Sequence, residues 1–191
     1  MSYINQTLIF ESNKIYYNDS VYGGDREVMM DWEDSLMSAS AAYVTEGGGD
    51  ILEIGFGMGI SAGYMHSHSI DSHTIVENHP DIIPKAVEWA NNKSNVTIIS
   101  QSWYNVKDSL GTFDGVFYDT FEDENYKDFS SSLSTWTKSG TKVTFWNDDN
   151  GESNNHQIQT SYQQINITPP NSASVYFRSG DTIYYMPIKE F

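Results

Sequence analysis

The sequence predicts an α/β fold in which a doubly wound, seven-stranded, mostly parallel sheet ends in a C-terminal β-hairpin. Three observations predict it. The apolar run Ile51–Ile54 leads directly into glycines at alternate positions, Gly55, Gly57 and Gly59. A second apolar run, from His73, closes on an acid at Glu77. Beyond it, strand-like and helix-like patterns alternate until a Gly-containing turn, Ser179-Gly180-Asp181, near the end of the chain. Such alternation builds a parallel sheet whose ligands lie at the carboxyl ends of its strands.

Each element has its own signal. Residues 1–24 are polar and aromatic, a candidate lid broken at Gly23-Gly24, and residues 25–191 read as one domain. From Asp25, a plausible N-cap, Met29, Trp32, Leu36, Ala39 and Tyr43 recur at helical spacing, and Gly47-Gly48-Gly49 ends that helix. The first sheet strand is Asp50–Ile54, and the glycine loop opens a helix to about Ser69. The second strand is Thr74–Glu77. Pro80 then suits the first turn of a helix whose buried stripe is Ile82, Ile83, Ala86, Val87 and Ala90. The third strand is Asn95–Ser100. Phe113–Tyr118, apolar on both faces, is a central fourth. A helix over about Glu122–Thr137 precedes a fifth strand at Thr141–Trp146. Asp148–Gln157 is an Asn-rich loop, a weak helix signal covers Gln157–Gln164, and Pro169-Pro170 breaks the chain. Ser174–Arg178 and Thr182–Ile188 form the hairpin arms.

Composition excludes several functions. The 191 residues fit one domain with a full core. The net charge of −16, from 26 acids against 10 lysines and arginines, argues against a nucleic-acid partner and leaves room for cationic ligands. There is no cysteine, so disulfides and thiolate metal sites are absent. No apolar stretch is long enough to span a membrane, and no secretory leader is evident, so a cytoplasmic location is expected. Asn95-Val96-Thr97 and Asn166-Ile167-Thr168 match the glycosylation acceptor by chance on this reading. The five histidines lack partners at metal-ligand spacing, and no metal is expected. The sequence does not reveal an oligomeric state.

Glycines let a chain turn sharply and let a ligand approach the backbone. An acid ending the next strand is placed to accept hydrogen bonds from two ribose hydroxyls. Two cofactor classes compete for this layout. Gly57-Met58-Gly59-Ile60-Ser61-Ala62 matches a dinucleotide fingerprint only out of register, because Ile60 stands where a small residue is needed counting from Gly55. The alternative, E-x-G-x-G-x-G from Glu53, resembles the first motif of the S-adenosylmethionine-dependent methyltransferases.

The resemblance sharpens with three segments together: Val28-Met29-Met30-Asp31-Trp32-Glu33, Leu52-Glu53-Ile54-Gly55-Phe56-Gly57-Met58, and Phe113-Asp114-Gly115-Val116-Phe117-Tyr118-Asp119-Thr120. From about Val28 onward the chain resembles the guanidinoacetate N-methyltransferase family and its arginine-directed relatives, which have a Rossmann-like methyltransferase fold. The resemblance implies S-adenosylmethionine as cofactor, held by Glu53, Gly55, Phe56, Gly57, Met58, Gly59, Glu77 and Asn78, with Ser102, Trp103 and Tyr118 bordering the same site. Glu53 would act indirectly, on the methionine end. It also implies that Glu33 and Asp119 grip a guanidino group, with Trp32, Met37 and Asp148 around the substrate. Carboxylates match a guanidinium fork bidentately. The nitrogen must lose a proton during or after methyl transfer, and Asp119 is the expected acceptor.

The segment after the fifth strand departs from the family. Asp148 and Asp149 stand where neutral groups would contact a substrate carboxylate, so a guanidino compound without one near its head group, such as agmatine, or an arginine side chain is expected. Two other readings stay open. One is an aminopropyl transferase of the spermidine synthase type, against which the missing acid-rich signature after the fourth strand counts. The other is a cofactor-binding protein without turnover.

Overall fold

The computed structural model describes residues 2–19, 21, 23–147, 151–170 and 181–191. A 3-10 turn at Tyr3–Asn5 precedes β1 (Ile9–Phe10), β2 (Lys14–Asp19) and β3 (Gly24–Met30). A second 3-10 turn, Asp31–Glu33, runs into α1 (Asp34–Val44). Then follow β4 (Asp50–Ile54), α2 (Ile60–Ser67), β5 (Ser72–Glu77), α3 (Ile83–Ala90), β6 (Val96–Ser100), α4 (Trp103–Val106), β7 (Phe113–Tyr118), α5 (Phe129–Trp136), β8 (Thr137–Phe145), β9 (Ser161–Asn166) and β10 (Ile183–Glu190).

Strands β4 to β10 form one seven-stranded sheet in the order β6-β5-β4-β7-β8-β10-β9. The five strands β6 to β8 in that order pair in parallel, and β10 runs antiparallel to both β8 and β9. The strand order reverses beside β4. Its chain continues to β5 on one side, and β7 returns to it on the other, so a crevice opens at the carboxyl ends of β4 and β7. Both faces of the sheet are covered. Ile51 and Phe117 pack with Leu36, Met37, Ala41 and Val44 of α1 on one face. Leu52, Ile54, Val116 and Tyr118 pack with Phe129, Leu133 and Trp136 of α5 on the other. Gly115 lets α1 lie against β7, because a Cβ there would stand 2.1 Å from the carbonyl oxygen of Val44.

The N-terminal region differs most from the sequence reading. Residues 25–30 are a strand, not a helix: Val28, Met29 and Met30 belong to β3, and Ile15 and Lys14 of β2 pair with Met29 and Met30. Asp25 caps nothing. It accepts a hydrogen bond from Asn18 (2.7 Å) and lies 3.6 Å from Lys14. The helix waits until Asp34 because Glu33 Oε1 accepts the Met30 N–H (2.8 Å) and closes the turn in front of it. The small sheet β1-β2-β3 thus runs across residue 24 and reaches Met30.

Other departures are local. Helix α3 begins at Ile83 with Pro84, not Pro80, in its first turn, and Val87 is exposed rather than part of its buried stripe. The helix after β7 starts at Phe129, since residues 119–125 form a loop at the crevice in which Glu122 takes a left-handed conformation (φ 47°). Residues 161–166 are the strand β9, not helix, and β9 is the described partner of β10. The expected hairpin arm Ser174–Arg178 lies outside the described residues. No helix among the described residues is long and apolar enough to cross a membrane.

Overpacking at the α1–β7 contact should be costly. Gly115→Ala is expected to lower stability by about 1–3 kcal/mol, read as a reduced urea midpoint with an unchanged slope.

Candidate active site

The crevice holds a cavity of about 440 Å³, a size suited to one small ligand. Its floor is the glycine loop between β4 and α2. Gly55 has φ 93°, and a Cβ there would lie 1.9 Å from the carbonyl oxygen of Asp119. Only glycine allows the end of β7 to pass this close to the loop. Glu77, at the end of β5, borders the cavity. Its Oε2 accepts the Phe56 N–H (2.9 Å), and its Oε1 accepts those of Asn78 (2.8 Å) and His79 (2.7 Å). Burial raises its pKa while these three bonds oppose the rise. A carboxylate has about four acceptor sites, so capacity for a further donor remains.

Two acids meet from opposite sides. Asp119 follows β7 and is half-buried on the cavity wall. Burial, assisted by the charge of Glu53, pushes its pKa up to about 7. Glu33 enters from the turn before α1 and is buried. Burial first and the Asp119 carboxylate second raise its pKa well above the usual range, against the Met30 N–H that lowers it. Trp32 and Trp146 line the same cavity.

The loop after β7 is fixed by Asp123. Its Oδ2 accepts from Tyr118 Oη and Trp103 Nε1, both at 2.5 Å, and its Oδ1 from the Asn125 N–H (2.8 Å). The small sheet closes the mouth. Arg26 of β3 pairs with Glu122, Tyr17 of β2 donates to Glu122 (3.3 Å), and Tyr3 packs edge-on against Phe121 with centroids 4.9 Å apart. Burial and nearby acids raise the Tyr3 pKa, so its phenol stays neutral.

A family profile described as guanidinoacetate N-methyltransferase matches residues 17–145. The chain belongs to this family. The matched stretch contains Glu33, the glycine loop, Glu77 and Asp119, and stops one residue short of Trp146. Protein arginine N-methyltransferase 2 of Aspergillus fumigatus is 35% identical over 139 residues, covering 69% of this chain and 32% of that protein. The protein of that name from Kluyveromyces lactis is 39% identical over 112 residues, covering 53% and 27%. The chain therefore spans about a third or less of the length of these relatives. Among solved structures, spermidine synthase from Thermotoga maritima aligns with a TM-score of 0.62 at 11% identity, covering 96% of this chain and 72% of that one. The N-methyltransferase NodS from Bradyrhizobium japonicum aligns at 0.58 and 12%, covering 84% and 97%. At such identities the likeness establishes the Rossmann-like methyltransferase fold, and the family membership rests on the sequence match.

The family's expected site residues fall into three groups. Trp32, Glu33, Gly55, Phe56, Gly57, Glu77, Asn78, Trp103 and Asp119 all line the cavity. Glu53, Met58, Gly59, Ser102 and Tyr118 do not. Glu53 lies beneath the loop, fully buried, and Tyr118 turns its hydroxyl to Asp123. Gln101, not Ser102, lines the cavity, and Ser102 stands at the N-cap position of α4. Met37, expected beside the substrate, does not line the cavity either: it is 1% exposed in the core packed by α1. Asp148 lies outside the described residues. Sequence reading missed Ser61, Met29, Tyr3 and Trp146 as lining residues. Met29 sits over Gly57, its sulfur accepting the Met58 N–H (3.1 Å), a contact hidden while β3 was read as helix.

The raised pKa of Asp119 has a consequence for stability. Its ordinary value is 3.8 and its folded value about 7. The folded state therefore holds the proton more tightly, and this contribution is full below about pH 4 and lost as pH rises through about 7. Asp119→Asn removes that loss. The empty variant is expected to melt about 3–6 °C above the parent protein at pH 8 and alongside it near pH 4, measured by calorimetry across that range.

Proposed function

We propose that the chain is an S-adenosylmethionine-dependent N-methyltransferase acting on a guanidino group, with an arginine side chain or an agmatine-like compound as acceptor and Asp119 as base. The observation that carries this reading is the pairing of Glu33 and Asp119 across one cavity. Among its described lining residues are seven carboxylates and one cationic side chain, Arg26, which pairs with Glu122. Burial raises the proton affinity of both acids, Asp119 raises that of Glu33 further, and a cation between them would favour their charged forms. A guanidinium offers a planar fork that matches both. Trp32 and Trp146 add aromatic faces suited to a delocalised cation.

The cavity fits the cofactor on observations of its own. The left-handed glycine at position 55 leaves room a Cβ would fill, Glu77 keeps acceptor capacity for a ribose diol, and Phe56, Met29 and Trp103 supply apolar walls. When bound, S-adenosylmethionine would supply a methyl group made electrophilic by its sulfonium. The chain's own residues do the rest. Glu33, anchored by the Met30 N–H, orients the acceptor nitrogen. Asp119 takes the proton that this nitrogen gives up. With a pKa near 7 it can hold that proton and release it to water at neutral pH. The names of the arginine-directed relatives favour an arginine side chain.

Two expected outcomes test this reading. S-adenosylhomocysteine should raise the melting temperature where NAD and decarboxylated S-adenosylmethionine do not. Asp119→Asn and Glu33→Gln should keep that rise while lowering methyl transfer about a hundredfold or more. Unchanged product formation by Asp119→Asn would remove it from the mechanism. Among acceptors, an arginine-containing peptide and agmatine should be methylated faster than guanidinoacetate; the reverse order in a radiolabel transfer assay would overturn the specificity.

A further inference from the structure

Glu53 is fully buried directly beneath the glycine loop, at the C-terminal half of β4. A buried carboxylate needs partners. On one side Ser61, in the first turn of α2, donates its hydroxyl to Oε1. On the other, His73 of the neighbouring strand β5 brings Nε2 to 2.9 Å from Oε2. This second contact is an ion-pair distance rather than an aligned hydrogen bond, and Oε2 and both imidazole nitrogens make no other hydrogen bond. His73 is itself fully buried, with the edge of Trp89 against its ring.

The chain His73–Glu53–Ser61 has one end in the cavity. Ser61 lines it, whereas Glu53 and His73 do not. Because the Ser61 hydrogen is committed to Glu53, its oxygen is left to act toward the cavity only as an acceptor, with a carboxylate behind it. Such an acceptor is strengthened by the negative group it donates to. Resting on the S-adenosylmethionine reading above, the ligand has two polar ends. Its ribose diol suits Glu77 on β5. Its amino-acid end carries an ammonium that requires acceptors.

We propose that His73 is a positioning residue for cofactor binding: it holds Glu53 so that Ser61 presents its oxygen to the ammonium of the methionine moiety. His73 touches no ligand. It acts through two side chains, from the strand next to the one that carries the acid.

The test compares two ligands by titration calorimetry. S-adenosylhomocysteine carries the ammonium, and 5′-methylthioadenosine lacks the whole amino-acid end. His73→Leu and Ser61→Ala should each weaken S-adenosylhomocysteine about tenfold and leave 5′-methylthioadenosine within about twofold. His73→Gln, which keeps an N–H donor, should restore most of the loss. His73→Asn, too short to reach Glu53, repeats the test if the leucine variant does not fold. Equal weakening of both ligands, or no weakening of either, would overturn the role of His73. Failure of the unaltered protein to bind S-adenosylhomocysteine is a separate result, which would overturn the cofactor reading and this inference with it.

Discussion

The passage of the Asp119 backbone over Gly55 is the constraint on which the site depends. Strand β7 lies beside β4 at the point where the sheet reverses its order, and its last residues must clear the glycine loop. With no side chain at position 55 they do so within van der Waals distance of where a Cβ would stand. The glycine loop and the acid on the opposite cavity wall are thereby joined through one backbone contact. On the function proposed above, lengthening it would separate the methyl donor from its acceptor, and methyl transfer tolerates little misalignment.

Around that contact the protein places charge where burial opposes it. Asp119 and Glu33 share a cavity, burial raises the proton affinity of both, the Asp119 carboxylate raises that of Glu33 further, and neither has a basic residue as its described partner. In a structural core such a pair would be replaced by apolar residues. Its presence at the mouth of an α/β crevice, where Asp123 pins the flanking loop through Tyr118 and Trp103, agrees with the cationic acceptor proposed above. Glu77 contrasts with them: three backbone N–H groups already occupy it, so it is rigid before any ligand arrives.

Much of this was legible in the sequence, for physical reasons that can be named. Strands β4 and β7 are continuous apolar runs bounded by turns, a pattern few other elements produce, and their limits were read correctly. Gly55, Gly57, Glu77, Trp32, Glu33 and Asp119 all meet at a single cavity. What was not legible depends on tertiary contact. Met29, Trp32 and Leu36 keep helical spacing, yet Met29 is drawn into a strand by its pairing with Ile15. A strand at residues 161–166 needs β10 beside it before its alternation has meaning. Met37 shares the helix that follows Glu33, but its side chain faces the sheet, and nothing in its neighbours' identities marks that face.

The small sheet at the mouth also bears on the order in which the molecule is assembled. Its contacts with the loop after β7 span long stretches of chain: Ser2 to Glu124 is 122 positions, Tyr17 to Glu122 is 105, and Arg26 to Glu122 is 96. The cradle closes over much less, 21 positions from Phe56 to Glu77. Closing a longer loop costs more chain entropy and comes later. On a ribosome, the strands that seal the mouth emerge first and wait for about a hundred more residues before their partner exists. The cradle is thus the early, local part of the molecule. The enclosure around it closes later.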